Sequence, residues 1–431
     1  MAETAPPTTR PPLLQPPRLR SAEQGGVRRA SWLELFYDLV FVVIVAELAH
    51  TLEGDISWRG VGGFAALFVP VWWAWVGTTF YSDRFDTDDL VHRLAIGAQM
   101  VAAGSMAINI HDGLGETAVG FALSYAAMRG ILVLLYLGAR VFVPEARALT
   151  THYAIGFALA AAVWGISAFV PPPVRFVLWG LGLLVDFGTP LSAVRLQMRT
   201  PIDASHIPER FGLFVIIVLG EAVVSVVQGS AEVAWRLASA GTAALGFAIA
   251  LSLWWIYFDN LNETAVRRLR VAGQIWLYAH LPLVLSVVAA GVDVERLILA
   301  APGAGLAAAD RWLLCGAVAL GLAAMAAIHP SSLTTAAALR CEMRARYRLG
   351  GAAAALALGA IGAGLAPVAV AGGLATIVAA QVVADALGKD ERTHADAQPG
   401  QDDRLPSGAS AATTGGGRGV SLEATGTTTG G

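Results

Sequence analysis

Residues 31–50 read SWLELFYDLVFVVIVAELAH. The stretch is apolar and about 20 residues long, the length that crosses a ~30 Å hydrocarbon core. In lipid such a run must be a helix, because only a helix satisfies its own backbone polar groups within one segment. Yet this one carries Glu34, Asp38 and Glu47. An acid at mid-bilayer costs roughly 2.5–3.5 kcal/mol on insertion scales, so acids kept there are usually paired or functional. Glu34 and Asp38 are one turn apart on one face. Glu47 lies 13 residues beyond Glu34, about 20 Å along the axis, and on roughly the opposite face from Asp38. Glu47 and His50 are spaced i, i+3 and can interact. A helix with acids on two faces belongs in the middle of a bundle.

Eleven further apolar runs follow, over roughly 60–81, 92–110, 117–139, 151–170, 174–195, 210–228, 236–258, 273–292, 311–329, 349–365 and 367–387. Charged residues make up 14% of the 431, against about 25% in soluble domains, and mean hydropathy is +0.60. The fold class is therefore all-α: a polytopic membrane helix bundle of about 12 transmembrane helices. The last pair of runs is Ala/Gly-rich and divided only at Gly364 to Pro367. It reads either as two spans or as one re-entrant hairpin.

The basic residues give the orientation. With both termini in the cytoplasm, 23 of the 29 Lys and Arg fall inside, five fall outside and Arg129 lies within a span. Without the two tails the loops still divide 14 to 5, as the positive-inside rule requires. Residues 1–31, rich in Pro and Arg, read as a disordered basic cytoplasmic tail. They do not read as a signal peptide, because no small-residue cleavage site follows the first apolar run. Residues 389–431, rich in Gly and Thr, read as a second disordered cytoplasmic tail.

The two halves resemble each other. ELFYDLVFVVIVAE (34–47) aligns with ERFGLFVIIVLGE (209–221) after one deletion near Asp38. Glu34 then matches Glu209, Phe36 matches Phe211 and Glu47 matches Glu221. The following run holds Trp72-Trp73 in the first half and Trp254-Trp255 in the second. The expectation is two parallel six-helix repeats, 32–200 and 201–388, with a site at their interface.

Other polar groups lie within spans. Arg129, Asp186 and His280 are buried candidates, and Arg129 pairs with either Asp186 or Glu47. Trp72, Trp73, Trp254 and Trp255 end their spans, as interfacial anchors or as the lining of a constriction. The stretch Asp83 to Asp89 reads as a solvated acidic loop or a weak cation site. It lacks the Gly and distal Glu of a Ca²⁺ loop. Cys315 and Cys341 have no zinc spacing and are not expected to pair. No hydrolase, metalloprotease, P-loop or dinucleotide signature occurs, and no basic stripe suits nucleic acid. The expectation is no enzyme, no cofactor and no metal. The lipid bilayer is the first partner, and the Ala/Gly-rich last helices suit close packing, which is compatible with a homo-oligomer.

The segments at 31–50, 72–89 (WWAWVGTTFYSDRFDTDD), 209–226 (ERFGLFVIIVLGEAVVSV), 253–260 (LWWIYFDN) and 278–284 (YAHLPLV) resemble the bacterial low temperature requirement A family. The likeness runs roughly from residue 30 to 390 and implies a multi-pass protein of the bacterial cytoplasmic membrane. The family's name reflects a growth phenotype. Phe36-Tyr37-Asp38 is also similar to the Phe-Ser-Asp signature of non-classical potassium channels, built from two six-helix units whose first helices line the pore. Tyr37 replaces the Ser here, and the second half reads Phe211-Gly212-Leu213 without the Asp.

Two functional readings follow. One is a transporter or channel for a small solute or cation, with the first and seventh helices lining the path and Glu34, Asp38, Glu47, His50, Glu209 and Glu221 as contacts. The other is a non-transporting structural or sensory membrane component. A membrane enzyme ranks third.

Overall fold

The apolar runs become helices whose ends are set by local capping. Ser31 accepts the Glu34 N–H on its hydroxyl while the Glu34 carboxylate accepts the Ser31 N–H at 2.8 Å, a reciprocal cap that fixes the first turn. Ser57 and Asp89 cap the second and third helices by accepting the Gly60 and His92 N–H on their side chains, without the reciprocal bond. In the turn before the second helix, the Ser57 hydroxyl and N–H hold the exposed Asp55 carboxyl below its ordinary value.

A computed structural model describes residues 15–19, 30–86, 89–200, 206–233, 237–261, 270–300, 305–329 and 335–396. Within them are twelve long helices. The first six are α1 (Trp32–Gly54), α2 (Trp58–Arg84), α3 (Leu90–Ile108), α4 (Ala118–Phe142), α5 (Arg147–Ser167) and α6 (Val174–Ser192). The others are α7 (His206–Glu232), α8 (Leu237–Leu261), α9 (Arg270–Leu299), α10 (Ala308–Ile328), α11 (Thr335–Ile361) and α12 (Pro367–Asp396). Ten stretches of helix are long and apolar enough to cross a membrane; α3 and α11 are not among them. The final runs form two helices of 27 and 30 residues, joined by a turn in which Gly364 takes φ +84°. Only glycine adopts that conformation without strain.

Residues Met1–Asp385 form one compact unit; the described part of the second unit, 386–396, is the end of the last helix. Its backbone stays helical to Asp396, eight residues into the stretch expected to be disordered. The N-terminal tail also departs from expectation over the residues described. Arg18 and Leu19 pair antiparallel with Asp86 and Phe85, and the Gln15 N–H donates to Asp89 at 3.1 Å.

Helix α1 buries Tyr37, Asp38, Phe41, Ile44, Val45, Leu48 and Leu52 at helical spacing, while Phe36, Leu39 and Val43 are more than half exposed. Its acids at 34 and 38 share the inward face with the core while a row of purely apolar residues faces out, the pattern of a helix that meets lipid on one side. By its helix neighbours the central position belongs to α9, and α10 is buried to the same extent. Helix α9 touches α1, α2, α7, α8 and α10, and two thirds of its span is buried, against 44% for α1. The expectation that the first helix occupies the middle is thus corrected: α1 lies against the centre, and α9 holds it.

Candidate functional site

Helices α1, α2 and α7 meet in a buried ionic junction. Arg210, in the second turn of α7, donates from Nη2 to Asp38 Oδ1 at 2.6 Å, and its Nη1 lies 3.9 Å from Glu34 Oε2. Trp75 of α2 donates its indole N–H to the same Asp38 oxygen at 2.8 Å. His206, in the first turn of α7, sits 2.8 Å from Asp83 and 3.7 Å from Glu34. Arg84, next to Asp83, donates to the Thr200 carbonyl at 3.2 Å. These charged groups are all less than a tenth exposed. Acids and bases alternate from Asp83 through His206, Glu34 and Arg210 to Asp38. Each of the three carboxylates faces a basic side chain of α7 across a helix boundary, and pairing is the condition under which buried ions are tolerated. Buried Asp38 Oδ2 and Arg210 Nε nevertheless lack a hydrogen-bond partner.

A second ionic site lies deeper in the first half. Arg129, 1% exposed in the middle of α4, donates from Nε to Asp186 of α6 at 3.2 Å. Of the two partners the sequence allows, the structure thus selects Asp186. The Tyr125 hydroxyl donates to Asp186 and accepts from Arg129 at 2.9–3.0 Å. The guanidinium also lies over the Tyr125 and Phe157 rings, 4.9 and 5.5 Å from their centroids, favourable cation–π geometry. It packs over Gly77 of α2, where an added Cβ would fall 2.5 Å from Arg129 Nη1.

The remaining candidates go elsewhere. From Phe41 onward the α1–α7 seam is apolar: Phe41 meets Phe214 edge-on at 6.4 Å, and Ile44, Val45, Leu48 and Val218 are fully buried. Glu47, Glu209 and Glu221 are half-buried and do not join the junction. Glu221 instead shares the field of Glu295 with Glu53 and Glu232. His50 is exposed and pairs with Glu53 at 3.3 Å, not with Glu47. Glu53 sits at the same i, i+3 spacing, one turn nearer the open helix end. His280 is closed off, its ring nitrogens 3.0 Å from the Tyr257 hydroxyl and 2.6 Å from the Trp276 carbonyl. A groove between α7, α8 and α9 is lined by residues such as Leu219, Val226, Ile249 and Gly291 and has no ionisable side chain.

Of the paired tryptophans, Trp72 and Trp73 are buried rather than interfacial. Trp73 stacks on Phe187 at 4.2 Å and on Tyr278 at 5.6 Å, joining α6 to α9 through α2. Trp254 and Trp255 are 42% and 45% exposed, as anchors would be. The Asp83–Asp89 stretch is no solvated loop over the residues described: Asp83 binds His206, and Asp89 caps α3. Cys315 is buried and free, and the side chain of Cys341 lies outside the described residues. No group of three metal-ligating side chains occurs among the described residues.

Sequence reasoning missed the roles of His206, Tyr125 and Gly77, and it read Asp83 as part of a loop and not as the partner of His206. His206 and Asp83 carried a weak signal, a His and an acid at the mouths of apolar runs. Gly77 carried none.

Comparison with known proteins agrees with this membrane architecture. A protein of Rhizobium meliloti (strain 1021) described as "Uncharacterized protein RA0937" is 29% identical over 302 residues, covering 65% of this chain and 72% of its own length. The profile described as "Bacterial low temperature requirement A protein" matches residues 29–384, and the chain belongs to that family of multi-pass membrane proteins.

Proposed function

We propose that this protein moves a small solute or cation across the bacterial cytoplasmic membrane, with the α1–α2–α7 junction as its moving part. The observation that carries the reading is Arg210, contributed by the second half of the chain and seated on Asp38 and Glu34 of the first. In this reading Arg210 is the resident cation of the two carboxylates. An arriving cation or proton competes for them, frees α7 from α1 and α2, and is released when Arg210 returns. Coulomb attraction in a desolvated site is strong enough to hold the resting state, and exchange of one cation for another leaves no carboxylate uncompensated.

The same proposal takes both termini as cytoplasmic, α3 and α11 as crossing with the other ten helices, and the two halves as parallel repeats. Support for the repeat lies in neighbour relations: α1 touches α2 and α3 as α7 touches α8 and α9, and α3–α4 and α4–α5 recur as α9–α10 and α10–α11. No catalysis enters.

The test is flux in proteoliposomes under imposed proton, potassium, sodium and small-solute gradients. Wild-type protein should dissipate at least one of them. Asp38→Asn and Arg210→Gln should each cut that flux at least tenfold, and Glu47→Gln and Glu221→Gln should lower it less. Wild-type flux in both junction variants would remove the junction from the mechanism. A second reading, a non-transporting structural or sensory component, is favoured by one observation: both ionic sites are internally paired. Absence of flux in wild-type protein under every gradient would favour it.

A further inference from the structure

Helices α1, α7 and α9 run in the same direction: Trp276 near the start of α9 meets Phe211 near the start of α7, and Glu295 near its end packs on Gly229 near the end of α7. Asp293 therefore lies at the end of the bundle remote from the Arg210 junction. It is fully buried, and neither carboxylate oxygen receives a hydrogen bond from a donor group; the side chain it meets is another carboxyl, Asp310. Asp310, in the first turn of α10 and 9% exposed, is the first charge acting on it.

The nearby cations are committed. Arg296 donates from Nε to Asp310 Oδ1 at 2.7 Å and from Nη1 to the Glu53 carbonyl at 3.2 Å. Arg311 donates from Nε to the Gly359 carbonyl at 2.7 Å. Cys315, one turn along α10 from Arg311, is a buried thiol in the field of Asp293 and Arg311. Arg296 is thus bonded to Asp310 while also acting on Asp293, so one arginine serves two carboxylates. Two ionised carboxylates are both acceptors and repel; one proton turns the contact into a hydrogen bond.

We infer that Asp293 and Asp310 form a carboxyl pair that binds one proton between α9 and α10, with the proton on Asp293 and the charge on Asp310 beside Arg296. A proton suits the site better than a metal cation. Ca²⁺ takes six to eight oxygens and Mg²⁺ an octahedron, while the pair offers two carboxyl groups and no metal-ligating group of three exists among the described residues. The inference rests on α9 and α10 alone and does not use the transport reading.

A membrane-permeant carbodiimide, which modifies protonated carboxyl groups in apolar surroundings, tests it on the full-length protein in liposomes. Peptide mapping by mass spectrometry should find the adduct on Asp293 at pH 6, and Asp293→Asn should abolish it. Asp310→Asn removes the neighbouring charge, so the midpoint of labelling against pH should fall by about one unit or more. The Asp310→Asn profile decides the matter even if Asp293→Asn fails to fold. Three results would overturn the inference: no adduct on Asp293 between about pH 5 and 8, an unchanged midpoint in Asp310→Asn, or protection by sodium at fixed pH. The last would assign the pair to a metal cation instead.

Discussion

Two buried arginines, Arg129 and Arg210, each face an aspartate at hydrogen-bonding distance, and the surroundings give them different work. Arg129 and Asp186 lie within one half of the chain and are wrapped by local groups: the Tyr125 hydroxyl between them, two aromatic faces over the guanidinium and Gly77 beneath it. Arg210 and Asp38 join the two halves. Asp38 shares its oxygen between Arg210 and Trp75, Arg210 divides itself between two acids, and His206 reaches a third. The first pair is enclosed by groups of its own half, with Asp186 Oδ1 left without a hydrogen-bond partner. The second has alternatives at every member, which a switchable contact requires. On the proposed transport reading, the same ion chemistry serves as a fixture at one site and a latch at the other.

The sharpest way to break the contrast is to remove the fixture. Arg129→Ala leaves Asp186 buried and unbalanced and should cost about 3–5 kcal/mol, seen as loss of folded protein or a large fall in Tm in detergent. Arg129→Met with Asp186→Leu should recover most of that loss, since an apolar pair suits the same space. Recovery failing while each single variant folds normally would erase the distinction between the two sites. At the latch, Trp75→Phe keeps the ring packing on Phe211 and Phe214 but deletes the hydrogen bond to Asp38. A bond to a charged group is worth about 1.5–3 kcal/mol, and both Tm and flux should respond. Gly77→Ala presses a methyl group on Arg129 Nη1 and on Leu132 Cδ2, 2.9 Å away. It should cost about 1–3 kcal/mol as overpacking and leave flux per folded molecule unchanged. Smallest is Ser31→Ala, at about 1 kcal/mol for a lost N-cap. It should act on the latch alone, because Glu34 is the other half of that cap.

The sequence disclosed what periodicity and solvation control. All twelve long helices lie on the apolar runs, ten of them apolar enough to cross a membrane, and the acids at 34 and 38 announced themselves by their cost in lipid. What remained hidden depends on partners far along the chain. His206 and Asp83 are separated by 123 residues, Arg210 and Asp38 by 172, and neither pairing has a local signature. Arg129 carried two permitted partners because helix order alone cannot say which neighbour it faces. His50 had two acids at equal spacing, Glu47 and Glu53, and the preference for Glu53 emerges only once the helix end is placed. Trp72 and Trp73 followed a general rule for span ends that the enclosure of α2 overrides.

The carboxylate of Glu34 serves two masters, closing the backbone of α1 at Ser31 while facing Arg210 and His206. On the proposed transport reading, withdrawal of α7 would therefore alter more than a side-chain contact. It would change how firmly the opening turn of α1 is wound, so a displacement of the seventh helix would become fraying or tightening of the first. Amide hydrogen exchange at Leu33 to Leu35 would register that coupling directly, as a mechanical linkage written into a single acidic side chain.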